Sequence, residues 1–456
     1  MSSGKDLNDS FKWAKKQALF YVHNRDRVGA WYEAALPGRE AFCMRDVAHQ
    51  AIGAHALGLK QHNLNMLRKF ASNISESKDW CSYWEINRNN VPAPVDYTND
   101  KEFWYNLPAN FDVIDACYRM YLWTHDETYL NDDDFVRFYK RSLSEYVQRW
   151  DLSLDKMFSR ERFMNRESYD RKVSHQFCRG IPSYHEGDPG KTRLGIDLVA
   201  FHSAALRSYA HMSSLKGRTR ESLTFMNRAH AYSRAIETSF WDSTDQRFYD
   251  LYLTDDSYRT GGYMYVFALY SGSLMSPDKI DKTVRAMIDD PRPNIEMHSY
   301  YPEVLYRYGA HERAREEMIK LASPDMRRRE YPEVSFAVVG AMVSGLMGIE
   351  PGETEGAVAT LSRLTDDESW AEMRSVPVHN RLIDVRHIGR TASVLSNRSD
   401  GSIAWSARFY RELGILEVDG NSITAEKGMD AADDVFDYVE VIVGPHESKT
   451  VQVKKS

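Results

Sequence analysis

The chain has 456 residues, 42% of them hydrophobic, 27% charged and 12% aromatic, a balance that excludes a disordered or fibrous polymer. A net charge of −7 removes the basic field that nucleic acid or anionic lipid would require, so neither partner is expected. The longest apolar run, from Ala337 to Ile349, is shorter than the roughly 18–20 residues of a membrane span, and the N-terminal MSSGKDLNDSFKWAKK has no signal-peptide core. These features predict a soluble protein, cytoplasmic, or secreted or periplasmic if a signal peptide has been removed.

Helical periodicity predicts twelve helices, near 8–23, 45–60, 62–76, 110–124, 133–148, 196–214, 221–239, 259–272, 277–287, 300–310, 312–322 and 334–348. Apolar, small-residue segments such as DVAHQAIGAHALGL alternate with charged ones such as HERAREEMIKLA, as inner and outer helices of a double ring would. Residues 351–375 read as a connecting segment. From Val376 onward, short alternating runs (RLIDVRHIG, TASVLSN, IAWSARFY, YVEVIVG, TVQVKK) predict a small antiparallel β-sandwich over 376–456. The expected organisation is therefore a helical unit over 1–350 followed by a β unit. Cys43, Cys81, Cys117 and Cys178 form no CxxC pair and sit mostly among apolar or aromatic neighbours, as buried free thiols do.

Two long stretches between helices, 77–109 and 151–195, exceed the roughly 12–15 residues of a plain connector and are dense in Trp, Tyr, Asn, Asp and Glu. Flat rings beside carboxylates and amides suit sugars, which offer CH faces and many hydroxyls. No HExxH, paired CxxC, EF-hand or phosphate loop occurs, so neither a metal nor a cofactor is predicted; Asp132, Asp133 and Asp134 read as a solvated turn.

Four segments, in order, resemble the six-hairpin (α/α)6-barrel glycosidases, the group that includes amylo-α-1,6-glucosidases, processing α-glucosidases, trehalases and α-L-rhamnosidases. They are AALPGREAFCMRDVAHQAIGAHALGL, NLPANFDVIDACYRMYLWTHDETYL, SYHEGDPGKTRLGIDLVAFHSAALRSYA, and HSYYPEVLYRYGAHERAREEM followed by REYPEVSFAVVGAMVSGLMGI. The sequence departs from the pattern in having Val199 where relatives carry Asn, and it lacks their N-terminal β-domain. The resemblance implies an (α/α)6 toroid and an inverting, exo-acting glycosidase on an α-linked oligosaccharide or glycoside. Glu186 would be the general acid and Glu330 the base, with carboxyls about 6.5–9.5 Å apart. Glu333 and Glu296 are alternatives to Glu330, and Asp188 to Glu186. It further implies that Asp46, beside Arg45, clamps the terminal sugar and that Asp112 and Asp197 line the barrel mouth. Trp84, Glu85, Trp104, Tyr105 and Tyr184 are expected subsite walls, and His298 and His185 could bond substrate. Two rivals stand beside this reading. One is a sugar epimerase or lyase on the same toroid, using His175, His202, His298 or tyrosines. The other is a carbohydrate-binding protein without turnover.

Overall fold

The computed structural model describes residues 1–161, 178–186, 190–289, 293–366, 368–410 and 413–454. Helices form in all twelve predicted places, but the one expected at 259–272 is reduced to Tyr265–Tyr270, with Arg259 in a strand, and the one expected at 133–148 is broken at Ser144. The apolar, small-residue segments become helices buried along their length: Met44–Ala56, Pro108–Thr124, Ile196–Leu215, Tyr265–Tyr270, Tyr301–Arg307 and Pro332–Gly340, the last continued by a π-helical turn, Ala341–Leu346. The charged segments Lys5–Phe20, Lys60–Ser72, Asp133–Leu143, Thr219–Ser239, Pro277–Asp289 and His311–Ala322 bury a single stripe each, because a 3.6-residue period confines their apolar side chains to one face.

Packing follows the chain. Helix 44–56 contacts 108–124, which contacts 196–215, then 265–270, then 301–307, then 332–340, and 332–340 packs back on 44–56. Each has an amphipathic partner outside it, such as 219–239 on 196–215 and 311–322 on 301–307. Gly53 permits the contact between the first and last of these helices. A Cβ there would lie 2.0 Å from the carbonyl oxygen of Phe336. All six helices point their N-termini toward the site described below.

The β unit begins earlier than the sequence pattern indicates. Strand Ala357–Leu361 falls within the predicted connector, and Trp370–Val378 begins in it and runs into the predicted β unit. One sheet runs 350–351, 357–361, 403–410, 435–443 and 426–429; the other runs 370–378, 381–388, 392–397, 448–453, 415–418 and 421–424. All pairs are antiparallel except 357–361 with 403–410, which is parallel. That pairing is possible because a long excursion through the other sheet separates the two strands. Alternating burial in Ile403–Tyr410 places Trp405 in the core of the unit. The unit is tied to the helices by His387 Nε2 on the Met347 carbonyl (3.0 Å) and by buried Arg315, which bonds Glu368 (2.5 Å) and Asp6 (2.9 Å). The four cysteines are buried and unbridged.

Candidate active site

The N-terminal turns of the inner helices surround a cavity of about 210 Å³, lined by Arg45, Tyr184, His185, Glu186, Glu296 and Tyr300 among others. Arg45 and Asp46 open helix 44–56, immediately after a short strand pair that sets Cys43 opposite Glu85. Arg45 is the hub. Its guanidinium donates to Asp46 (3.2 Å) and to Glu296 (2.8 Å), and it lies 5.7 Å from the centre of the Tyr184 ring. Glu333, in the first turn of helix 332–340 and 1% exposed, completes the group.

Three carboxyls therefore share one cation, with Asp46 and Glu333 buried and Glu296 partly open to the cavity. Burial, reinforced by Glu296, pushes Asp46 up to about 6 against the pull of Arg45. Burial and the charges of Asp46 and Glu296 hold Glu333 well above the carboxylate range. Burial beside like charge thus favours the protonated forms of Asp46 and Glu333.

The opposite wall comes from the segment 183–186. Asp197, in the first turn of helix 196–215, accepts from Ser183 Oγ (2.9 Å) and the Tyr184 backbone N–H (2.5 Å), fixing the approach to Glu186. Gly195 leaves room for this clasp, since a Cβ would stand 2.2 Å from the Asp197 carboxyl. Burial raises Asp197 to about 7 in spite of those bonds. Tyr184 donates to Asp112 (3.1 Å), whose fully desolvated carboxyl is raised to about 8. Glu186 is half-buried at the cavity wall. It also acts electrostatically on Asp96, a carboxyl raised to about 9 by burial and by neighbouring Glu85. Arg39 bridges that pair, at 2.7 Å from Glu85 and 3.4 Å from Asp96.

The expected site residues divide accordingly. Arg45, Tyr184, His185 and Glu186 line the cavity, with Asp46, Asp112 and Asp197 directly behind. Trp84 packs 6.2 Å from the Tyr184 ring, and Glu85 is bound to Arg39. Trp104 and Tyr105 are buried and do not line the cavity: Trp104 Nε1 donates to Asn106 (2.7 Å) and Tyr105 OH to Asn110. His298 turns outward from the same short helix as Glu296 and bonds Glu317.

Glu330 is exposed and does not line the cavity. It precedes the helix that Pro332 opens, and its carbonyl accepts from Tyr21, whereas Glu333, one turn into that helix, faces Arg45. Asp188 and His175 lie outside the described residues. Asn294, Tyr300 and the 262–264 turn were not anticipated. The turn is held by Asp250, which accepts from the Gly262 (2.8 Å) and Tyr265 (3.1 Å) N–H groups, and GGY was its only local signal. Among the described residues no group of three or more His, Cys, Asp or Glu is arranged to hold a metal, and no helix is long and apolar enough to cross a membrane.

No family model matches the chain, and no curated protein matches its sequence. Solved structures do. An α-L-rhamnosidase from Dictyoglumus thermophilum superposes with a TM-score of 0.62 at 12% identity, covering 100% of this chain and 50% of that one. A GH78 family rhamnosidase of Bacillus sp. GL1 gives 0.57 at 14% identity, covering 87% and 41%. A wild-type glycosidase gives 0.51 at 9% identity, covering 74% of this chain and 98% of that one. The chain thus has a six-hairpin-glycosidase-type fold. It spans half or less of the length of the two rhamnosidases.

Proposed function

We propose that this protein is a carbohydrate-active enzyme, specifically an inverting, exo-acting hydrolase of an α-linked glycoside, working in an (α/α)6 toroid over residues 1–350. The toroid reading is supported by the packing order, in which the last inner helix returns to the first. The observation that carries the function is that Glu186 and Glu296 line one cavity, with Glu296 bonded to Arg45 at 2.8 Å.

Glycoside hydrolysis needs one carboxyl to protonate the leaving oxygen and another to take a proton from water. In this reading Glu186 is the acid. Glu296, rather than Glu330, is the base, because it is partly open to the cavity and bonded to the Arg45 guanidinium at 2.8 Å. Tyr184 and Asn294, which line the cavity, would bind hydroxyls of the terminal sugar, with Asp46 behind them holding Arg45. A cavity of about 210 Å³ lies below the roughly 300–1,000 Å³ of drug-sized ligand sites and suits a single ring, which favours exo action. The rhamnosidase and glycosidase neighbours support the substrate class.

The epimerase rival keeps tyrosines, since Tyr184 and Tyr300 line the cavity, but not its described histidines. His202 is stacked 4.1 Å from Phe111 and 4.1 Å from Tyr232, and His298 is committed to Glu317.

The test is a proton NMR time course on a panel of α- and β-linked disaccharides and aryl glycosides. The inverted anomer should appear first and vanish in Glu186→Gln. Release of the retained anomer would refute the inverting assignment, and binding without turnover by the wild type would favour the binding-protein reading.

A further inference from the structure

The C-terminal ends of the inner helices enclose a second cavity, of about 310 Å³, at the other end of the helical unit from the candidate active site. Ile52 reaches it from helix 44–56, Trp123 from helix 108–124, Tyr306 from helix 301–307 and Ser344 from the π-helical turn. Ile349 and Pro351 close it from the segment that leads into the β unit, so the cavity lies where the two units meet. Its volume falls at the lower edge of the roughly 300–1,000 Å³ of small-molecule sites.

Three arginines, Arg119, Arg307 and Arg363, line this cavity beside two carboxylates, Glu303 and Glu350. The Arg119 and Arg307 guanidiniums lie 5.4 and 5.9 Å from the centre of one ring, that of Tyr270, and act on each other electrostatically. Their ion pairs do not balance the charge. Arg119 pairs with Asp115 (3.0 Å) and Arg307 with Glu303 (2.8 Å), but Arg363 reaches only Glu350 (3.4 Å), which Arg408 holds more closely (2.8 Å). Among the described residues this network sets four guanidiniums against three carboxylates. The other bonds of the lining arginines go to the backbone carbonyls of Ala48, Tyr270, Ser344 and Gly345, which accept without carrying a formal charge. Arg363, with its side chain 6% exposed, is thus a desolvated cation whose counter-ion is shared, a setting in which a further anion is favoured.

We propose that this cavity is a binding site for a small, ring-bearing monocarboxylate, its carboxylate paired with the lining guanidiniums and its ring against Ile52, Trp123 and Ile349. The excess of one guanidinium sets the ligand charge at one, and a guanidinium fork matches the two oxygens of a carboxylate. The buried apolar walls call for an apolar body, which an inorganic anion lacks. The volume limits that body to one or two rings. No residue that lines the candidate active site lines this cavity, so the proposal stands apart from the hydrolase reading.

The test is isothermal titration calorimetry of the full chain with 2-naphthoate, against 2-naphthamide and inorganic phosphate. Naphthamide keeps the rings without the charge, and phosphate keeps charge without rings; each should bind at least about tenfold more weakly than naphthoate. Arg307→Gln should weaken naphthoate binding by about tenfold or more. Glu303→Gln removes a carboxylate that competes for Arg307 and should tighten binding about threefold. These opposite shifts distinguish the cavity from the candidate active site, where Arg45 also offers a guanidinium. Absence of naphthoate binding at millimolar concentration, equal binding of naphthamide or phosphate, or an affinity unchanged in either folded variant would overturn the site. If Arg307→Gln does not fold, Glu303→Gln decides alone.

Discussion

The two ends of the inner helices differ in chemistry as sharply as they can on one scaffold. At the N-terminal ends the first turns carry Asp46, Asp197 and Glu333, and Asp112 follows in the second turn of its helix. At the C-terminal ends arginines cover carbonyls that no helix can satisfy. Arg307 donates to Tyr270 O, Arg207 to Ser271 O and Gly272 O (2.8 Å), and Arg363 to Ser344 O (3.2 Å) and Gly345 O (3.0 Å). Helix macrodipoles favour both arrangements, anions at the positive end and cations at the negative end. The difference lies in what is left over. The arginines spend their hydrogen bonds on backbone, which stabilises the fold, whereas the carboxyls crowd around Arg45 with raised proton affinity, which supports acid–base chemistry.

The comparison can be broken most severely at the acidic end. Glu186→Gln and Glu296→Gln should each lower kcat on an unactivated glycoside by about 10²–10⁴-fold. Glu330→Gln should stay near wild type in the same assay. A crippled Glu330→Gln beside an active Glu296→Gln would return the base to Glu330.

Arg45→Met removes the cation from two buried carboxyls, Asp46 and Glu333, and from the partly open Glu296. It should cost about 3–5 kcal/mol in urea unfolding, the penalty of breaking a buried ion pair from one side. Loss of less than about 1 kcal/mol would mean that the acidic group does not depend on it. Asp197→Asn replaces an oxygen that accepts from Ser183 and Tyr184 with an amide donor, and should cost about 1–3 kcal/mol and raise KM through a loosened Glu186 segment.

Arg207→Met tests the other end. It exposes two carbonyls and should cost about 1–2 kcal/mol with kcat unchanged, separating a helix-capping cation from the catalytic group.

A further effect is a slope. Asp112 is raised to about 8 in the fold, so between pH 4 and pH 8 it holds a proton that the unfolded chain, titrating near 3.8, has released. Stability must then fall as pH rises through that window, by up to about 1.4 kcal/mol per pH unit. Asp112→Asn should flatten the wild-type curve by that slope, and identical pH–stability curves would show that the carboxyl ionises freely in the folded protein.

Much of the fold was legible before any coordinates. Helix 44–56 is rich in Ala and Gly with a single acidic residue, and helix 311–322 alternates charge with one apolar stripe, so inner and outer roles follow from local composition. The strands 381–388 and 403–410 announce themselves by alternation. Strand 357–361 did not, because it is buried at four consecutive positions and shows no period of two. Within the site, the Arg45–Asp46 pair and Glu186 could be picked out by their motifs. Asp250 and Tyr300 could not, since a buried aspartate that holds a turn and a tyrosine on the cavity wall read like ordinary polar and aromatic residues.

What the sequence determined by itself is the set of elements, their inner or outer character, and the chemistry of the candidate segments, because helical and strand periods are local properties. The tertiary structure decided which carboxylates meet. Glu296 reaches Arg45 across 251 positions of chain, and Glu333 joins them although Glu330, three residues earlier, faces solvent. Those outcomes depend on the return of the last inner helix to the first and on where Pro332 starts its turn, and a change of three residues rotates a side chain from water to the core.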